Sequence, residues 1–187
     1  MRILTLFLLL LGTSTARAGF IEVGASVNYR SSGYDENNYI KSLTYTGSMS
    51  YYFMEMCAFE INYTTGYSKQ LSKGNGATDP KTLIEDSISL VSGDLVLSFA
   101  GRQDPFRPYI KVGAGYLTKE RFRKVNDDAR ERISEQSGMV PSAGLGVSVS
   151  LTKEFSIKFG VDAWTSPMDE DPLVVDYAGR AGISWIF

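Results

Sequence analysis

The chain has 187 residues, a formal net charge of −2 and 43% hydrophobic residues. That mild acidity argues against nucleic acid as a partner. The sequence holds no histidine, so the commonest acid–base side chain is absent, and Cys57 is the only cysteine, so no intramolecular disulfide can form.

Met1-Arg2, the apolar stretch Ile3 to Leu11 and the ending Ala16-Arg17-Ala18 have the three parts of a secretory signal peptide. The apolar run is too short to cross a bilayer as a helix. Residues 1–18 are therefore expected to be a signal peptide, cut after Ala18, with no cysteine near the cut to take a lipid anchor. The expected remainder, Gly19 to Phe187, is 169 residues with a net charge of −4, enough for one domain. No later window approaches about 18 consecutive apolar residues, so helical spans are excluded.

From Phe20 onward, alternation dominates the chain. In Phe20 to Arg30, Ile21, Val23, Ala25, Val27 and Tyr29 share one face, against Glu22, Gly24, Ser26 and Asn28. The same period of two runs through Tyr39 to Phe53, Cys57 to Tyr67, Ile84 to Phe99 and Tyr109 to Thr118, although Leu90 and Val96 blur the fourth run. It resumes in Met139 to Leu151, Phe155 to Trp164 and a last strand from Asp176 to Phe187. These runs exceed the usual globular strand of about five or six residues, and there are eight of them.

The connections tend to alternate in length. Met54 to Met56 and Thr152 to Glu154 read as tight turns, and Ala100 to Arg107 as a longer one. Ser31 to Asn38, Lys69 to Thr82, Lys119 to Ser137 and Thr165 to Leu173 read as longer polar loops. The third of these is the most charged segment, and its composition predicts a solvated loop, with a short capped helix from Asn126 as the alternative. Short turns at one end and long loops at the other are expected of outer-membrane barrels.

The two faces separate a barrel in lipid from a barrel in water. The polar face is built mainly from Gly, Ser, Thr and Ala, small enough to crowd inside a narrow barrel. The apolar face carries Tyr29, Tyr39, Tyr67, Tyr116 and Tyr177 toward the long loops, and Phe53, Phe99, Phe155, Trp185 and Phe187 toward the short turns. Rings at both strand ends match the two interfaces of a bilayer; in water they would promote aggregation. The expected fold is all-β: an eight-stranded antiparallel up-and-down transmembrane β-barrel over residues 19–187.

The closing strand sets Tyr177, Ile183, Trp185 and Phe187 on one face, with Phe187 last. This resembles the C-terminal signal read by the outer-membrane assembly machinery. The segment Arg107-Pro108-Tyr109-Ile110-Lys111-Val112-Gly113-Ala114-Gly115-Tyr116 resembles a strand of the small OmpA/OmpX-like outer-membrane barrels. That resemblance implies an outer-membrane protein in contact with membrane lipid and lipopolysaccharide. The sequence ends at Phe187, so a role that needs a following peptidoglycan-binding domain is not expected.

Charged residues of inward parity are the candidate site: Glu22, Glu60, Asp94, Lys111, Lys158 and Arg180 at mid-height or toward the short turns, with Asp162, Asp176 and Arg30 higher. Poorly hydrated ions need partners, so the primary expectation is a network of ion pairs that ties strands together; the other is a gate whose pairs exchange. Barrels resembling lipid A deacylases or omptin proteases would use a histidine, which this chain lacks. The run Asp169-Glu170-Asp171 reads as a solvated acidic loop, and Gly74-Asn75-Gly76 as turn chemistry. No catalytic group, cofactor or metal is expected. The expected function is a non-catalytic barrel whose loops meet an external ligand or support envelope integrity; the alternative is a narrow channel for ions or small solutes. Lys41, of lipid-facing parity, is the candidate contact for a lipid phosphate.

Overall fold

The computed structural model describes residues 19–35, 38–73, 81–126, 129, 131–165 and 175–187. The expected signal peptide and the motifs at 74–79 and 169–171 lie outside them. Eight strands succeed one another: β1 (Phe20–Asp35), β2 (Asn38–Met54), β3 (Cys57–Lys73), β4 (Lys81–Ser98), β5 (Phe106–Val125), β6 (Glu131–Ser150), β7 (Phe155–Thr165) and β8 (Val175–Ile186). Each pairs antiparallel with its neighbours, and β1 pairs with β8 to close the barrel. The closing pairing runs from Glu22↔Ile186 to Val27↔Ala181, and such closure is how strands satisfy their backbone groups in lipid.

The period of two sets the faces. Along β1, Ile21, Val23 and Val27 are exposed while Glu22 and Asn28 are buried. The outward face is apolar throughout the barrel, including Leu95, Val112, Leu145 and Ile183. Tyr29, Tyr67, Tyr116 and Tyr177 mark its upper end, and Phe99, Trp185 and Phe187 its lower end. Phe155 and Trp185 lie ring to ring across β7 and β8, with centroids 6.0 Å apart.

Expectations about the connections are corrected: most of Ser31 to Asn38 belongs to β1 and β2, and Lys69 to Thr82 loses its ends to β3 and β4. Lys119 to Ser137 is not a loop throughout: its two ends belong to β5 and β6, strands of 20 residues each, which pair from Phe106↔Val149 up to Arg123↔Glu131. Asn126 is a turn residue with φ of 50°, and its side-chain oxygen accepts a hydrogen bond from Lys81 N at 2.9 Å. Above the membrane both faces of a hairpin are wet, so alternation disappears although pairing continues. Ala100 to Arg107 is also shorter than expected, because β5 already begins at Phe106 and Arg107 points into the barrel.

The interior is layered. At the short-turn end Phe20, Tyr52, Ala58, Val96, Tyr109 and Ile186 form an apolar floor, with the Phe20 and Tyr52 rings stacked at 4.2 Å. Above the middle, Leu90, Leu117 and Val140 form a second apolar layer, flanked by Ile88 and Trp164. Glu60, Asp94, Lys111, Asp162 and Arg180 lie between, whereas Glu22 and Arg107 sit at the level of the floor, Glu22 opposite Ile186 and Arg107 two residues below Tyr109.

Candidate functional site: a buried charge network and an open vestibule

Glu22, Glu60, Asp94, Lys111 and Arg180 are each at most 7% exposed. Lys111 is the hub. Its Nζ lies 3.1 Å from Asp162, 3.5 Å from Glu60 and 3.9 Å from Asp94, reaching carboxylates on β3, β4 and β7. Lys158 pairs with Glu22 at 2.5 Å, and Arg180 with Asp162 at 3.3 Å.

Neutral donors complete the coordination of the carboxylates. Tyr52 donates to Glu22 at 2.9 Å and Ser50 to Glu60 at 2.8 Å. Asn62, Ser92 and Ser142 all donate to Asp94, at 2.7, 3.2 and 2.6 Å. Arg180 also donates to the Tyr109 hydroxyl at 3.3 Å. A second arginine, Arg107, lies below and donates to Ser148 and Ser156, both at 3.1 Å. Among the described residues the network thus has four acids (Glu22, Glu60, Asp94, Asp162) and four bases (Arg107, Lys111, Lys158, Arg180), and it is neutral.

Small residues make room for it. A Cβ on Gly113 would stand 2.1 Å from Gly93 O and 2.3 Å from an Asp94 carboxylate oxygen. One on Gly144 would meet Asp162 at 2.5 Å. The glycine alternation that reads as a narrow-barrel pattern is here what lets Lys111 and the two aspartates share one level.

Of the candidate residues, Asp176 stands apart from this cluster. It belongs to an open vestibule above the Leu90 layer, a pocket of about 340 Å³ at the long-hairpin end. There Arg121 makes two hydrogen bonds to Asp86, at 2.7 and 2.9 Å. Lys119 lies between Asp86 and Asp176, 3.9 Å from each. The side chain of Arg30 lies outside the described residues.

Sequence reasoning misses several of these groups. It places Arg107 in a turn, although that residue shares parity with Tyr109 and Lys111. It places Lys119 and Arg121 in a loop, although they continue the same parity. Among the described residues no group of three or more His, Cys, Asp or Glu is arranged to hold a metal ion.

Comparison with known proteins agrees with this architecture. Residues 3–171 match the model of the outer membrane protein beta-barrel domain. No curated protein matches by sequence. Among solved structures, OprG of Pseudomonas aeruginosa aligns with a TM-score of 0.58 at 15% identity, covering 93% of this chain and 98% of that one. Neisserial surface protein A aligns with a TM-score of 0.53 at 16% identity, covering 90% and 97%. The N-terminal barrel of OprF from Pseudomonas aeruginosa gives 0.52 at 16%, covering 90% and 99%. At these identities the likeness is one of fold. With the family model matching most of its length, the chain belongs to the outer membrane protein beta-barrel domain family and is a protein of the bacterial outer membrane.

Proposed function

We propose that this barrel does not conduct, and that it serves as a rigid membrane platform presenting its long-hairpin end to the outside. The observation that carries this reading is the buried network of paired charges that fills the lumen, with the Phe20 cluster around its lower end and the Leu90 cluster above one side. An ion passing through would have to displace buried, paired charges, a costly step in low dielectric. Meanwhile β3, β4, β5 and β6 have 17, 18, 20 and 20 residues. A spanning strand needs only about 9–11, so these four rise well beyond the bilayer. The display surface in this reading is paired β-structure rather than slack loop.

Planar-bilayer recording of the refolded protein tests it. No discrete openings above the bilayer baseline are expected; reproducible unitary steps would overturn the reading in favour of a narrow channel.

Two contacts with the envelope belong to the same proposal. Lys41 is exposed, leans over the Tyr39 ring at 4.9 Å, and is in register with Lys69 on β3. This pair sits above the aromatic row of Tyr29 and Tyr67, where lipopolysaccharide phosphates lie. The outward face of β8, ending in Trp185 and Phe187, is the segment offered to the assembly machinery. Phe187→Ala should lower the amount assembled in cells severalfold while leaving refolding into detergent unchanged. Equal loss in both settings would assign Phe187 to stability instead.

A further inference from the structure

The vestibule has the chemistry of a ligand site as well as the shape of one. Its volume, about 340 Å³, lies at the lower end of small-molecule pockets. Trp164 and Ile88 line it and also pack against the Leu90, Leu117 and Val140 layer, so its base is apolar on the β4 to β7 side. Its walls carry the hydroxyls of Ser42, Thr44 and Ser68.

The charges cancel: Asp86 and Asp176 against Lys119 and Arg121. Arg121 and Asp86 are committed to each other by two short hydrogen bonds. Lys119 and Asp176 are not. Their 3.9 Å separation leaves both with hydrogen-bonding capacity that faces the pocket, and the Asp176 side chain is 42% exposed. Asn28 adds an independent sign. It is 7% exposed and donates to Thr44 at 3.1 Å, while its Oδ1 has no hydrogen-bond partner among the described residues. A buried acceptor left unmade is unfavourable, and a ligand hydroxyl would satisfy it after a small rotation of the amide.

A neutral wall disfavours an ion, which would disrupt existing pairs. An aromatic floor under a rim of hydroxyl, carboxylate and ammonium groups suits a molecule with one C–H face and several hydroxyls. We propose that the vestibule binds a small uncharged saccharide from outside the cell, seated on Trp164 and hydrogen-bonded by Asp176, Lys119 and Ser42. This deepens the platform reading and rests on it for one feature, the blocked lumen beneath the pocket.

Trp164 and Trp185 are the two tryptophans of the chain. Trp185→Phe therefore leaves a single reporter in the pocket floor. That variant, refolded in a detergent without sugar headgroups, is titrated with glucose, maltose and N-acetylglucosamine, with sodium glutamate as the charged control. At least one sugar should change Trp164 emission saturably, with half-saturation in roughly the millimolar range. Asp176→Asn and Ser42→Ala, each added to Trp185→Phe, should raise that value about tenfold or more for the aspartate and less for the serine.

Heat-shifted electrophoretic mobility confirms folding of each variant; should Asp176→Asn misfold, Ser42→Ala carries the comparison. No saturable change with any of the three sugars overturns the proposal. So does saturation by glutamate alone, or saturation by a sugar that neither variant weakens. Conductance of the same samples reads the floor separately, so a leaking barrel and an empty pocket give different results.

Discussion

At the scale of single residues, Lys111 concentrates the most interaction. Its ammonium is within 4 Å of three carboxylates on three strands, and each is also held by neutral donors or by Arg180. Removing one partner of a buried ionic group leaves the other uncompensated, at a cost of about 3–5 kcal/mol. Lys111→Met keeps most of the side-chain length and removes the charge, so it should destabilise the refolded barrel by that amount in urea unfolding. Ser148→Ala, which removes one of two hydroxyls serving Arg107, should cost about 1 kcal/mol. Equal costs for the two would show that the network is far wetter than its burial implies. Adding Glu60→Gln to Lys111→Met should recover part of the loss, because it removes one of the stranded charges. Asn126 is a case of the opposite kind, since its φ of 50° suits Asn or Gly. Asn126→Gly should be close to neutral, whereas Asn126→Val should loosen the hairpin locally, read as faster amide exchange near Lys81.

At the scale of elements, the legibility of the sequence depends on the solvent. Within the bilayer one face of each strand meets lipid and the other a crowded polar lumen, so the period of two shows which way every side chain points. This is why Glu22, Glu60, Lys158 and Arg180 are readable as inward-facing groups. Leu90, Val96 and Val140 obscure the pattern because they too point inward, and sequence alone has no way to separate an apolar plug from a lipid-facing break. Above the bilayer the contrast vanishes. Arg121 and Phe122 belong to one strand, yet neither face there is apolar enough to reveal it. Dense charge reads as loop, and Lys119 and Arg121 are lost from the site with it. The outer β5–β6 pairing carries surface ion pairs across the two strands, Arg132 with Glu120 and Arg123 with Glu131 at 3.6 Å. Such pairs are worth little individually. Replacing residues 122–133 with a two-residue Asn-Gly turn between the paired Arg121 and Ser134 should therefore leave the barrel folded, with its urea midpoint nearly unchanged. A collapse in stability would mean that the outer hairpin helps to nucleate the barrel.

At the scale of the whole molecule, paired charges fill the lumen with the Phe20 cluster around their lower end and the Leu90 cluster above one side, and a permeation path is only as open as its tightest level. Breaking the charge network alone should not make a channel. Arg180→Ala leaves Asp162 with Lys111 alone and frees the Tyr109 hydroxyl, yet the Phe20 and Leu90 clusters remain in place. Opening the upper layer alone, with Leu90→Ala and Leu117→Ala, deepens the vestibule until it meets the paired charges and still leaves the floor. Tyr52→Ala removes the ring stacked on Phe20 together with the hydroxyl that serves Glu22. Combined with the two leucine changes, it connects both ends of the barrel through the hydrated network. In planar bilayers the wild type, Arg180→Ala and the leucine pair should all be silent, and the triple variant should show discrete openings. Its current should favour neither sign of ion strongly, because losing the neutral Tyr52 hydroxyl changes no charge and Glu22 keeps Lys158 at 2.5 Å. Openings already present in Arg180→Ala would place the barrier in the ion pairs rather than in the apolar layers. The barrel would then be a gated channel with its gate at Arg180, and the platform reading would fall.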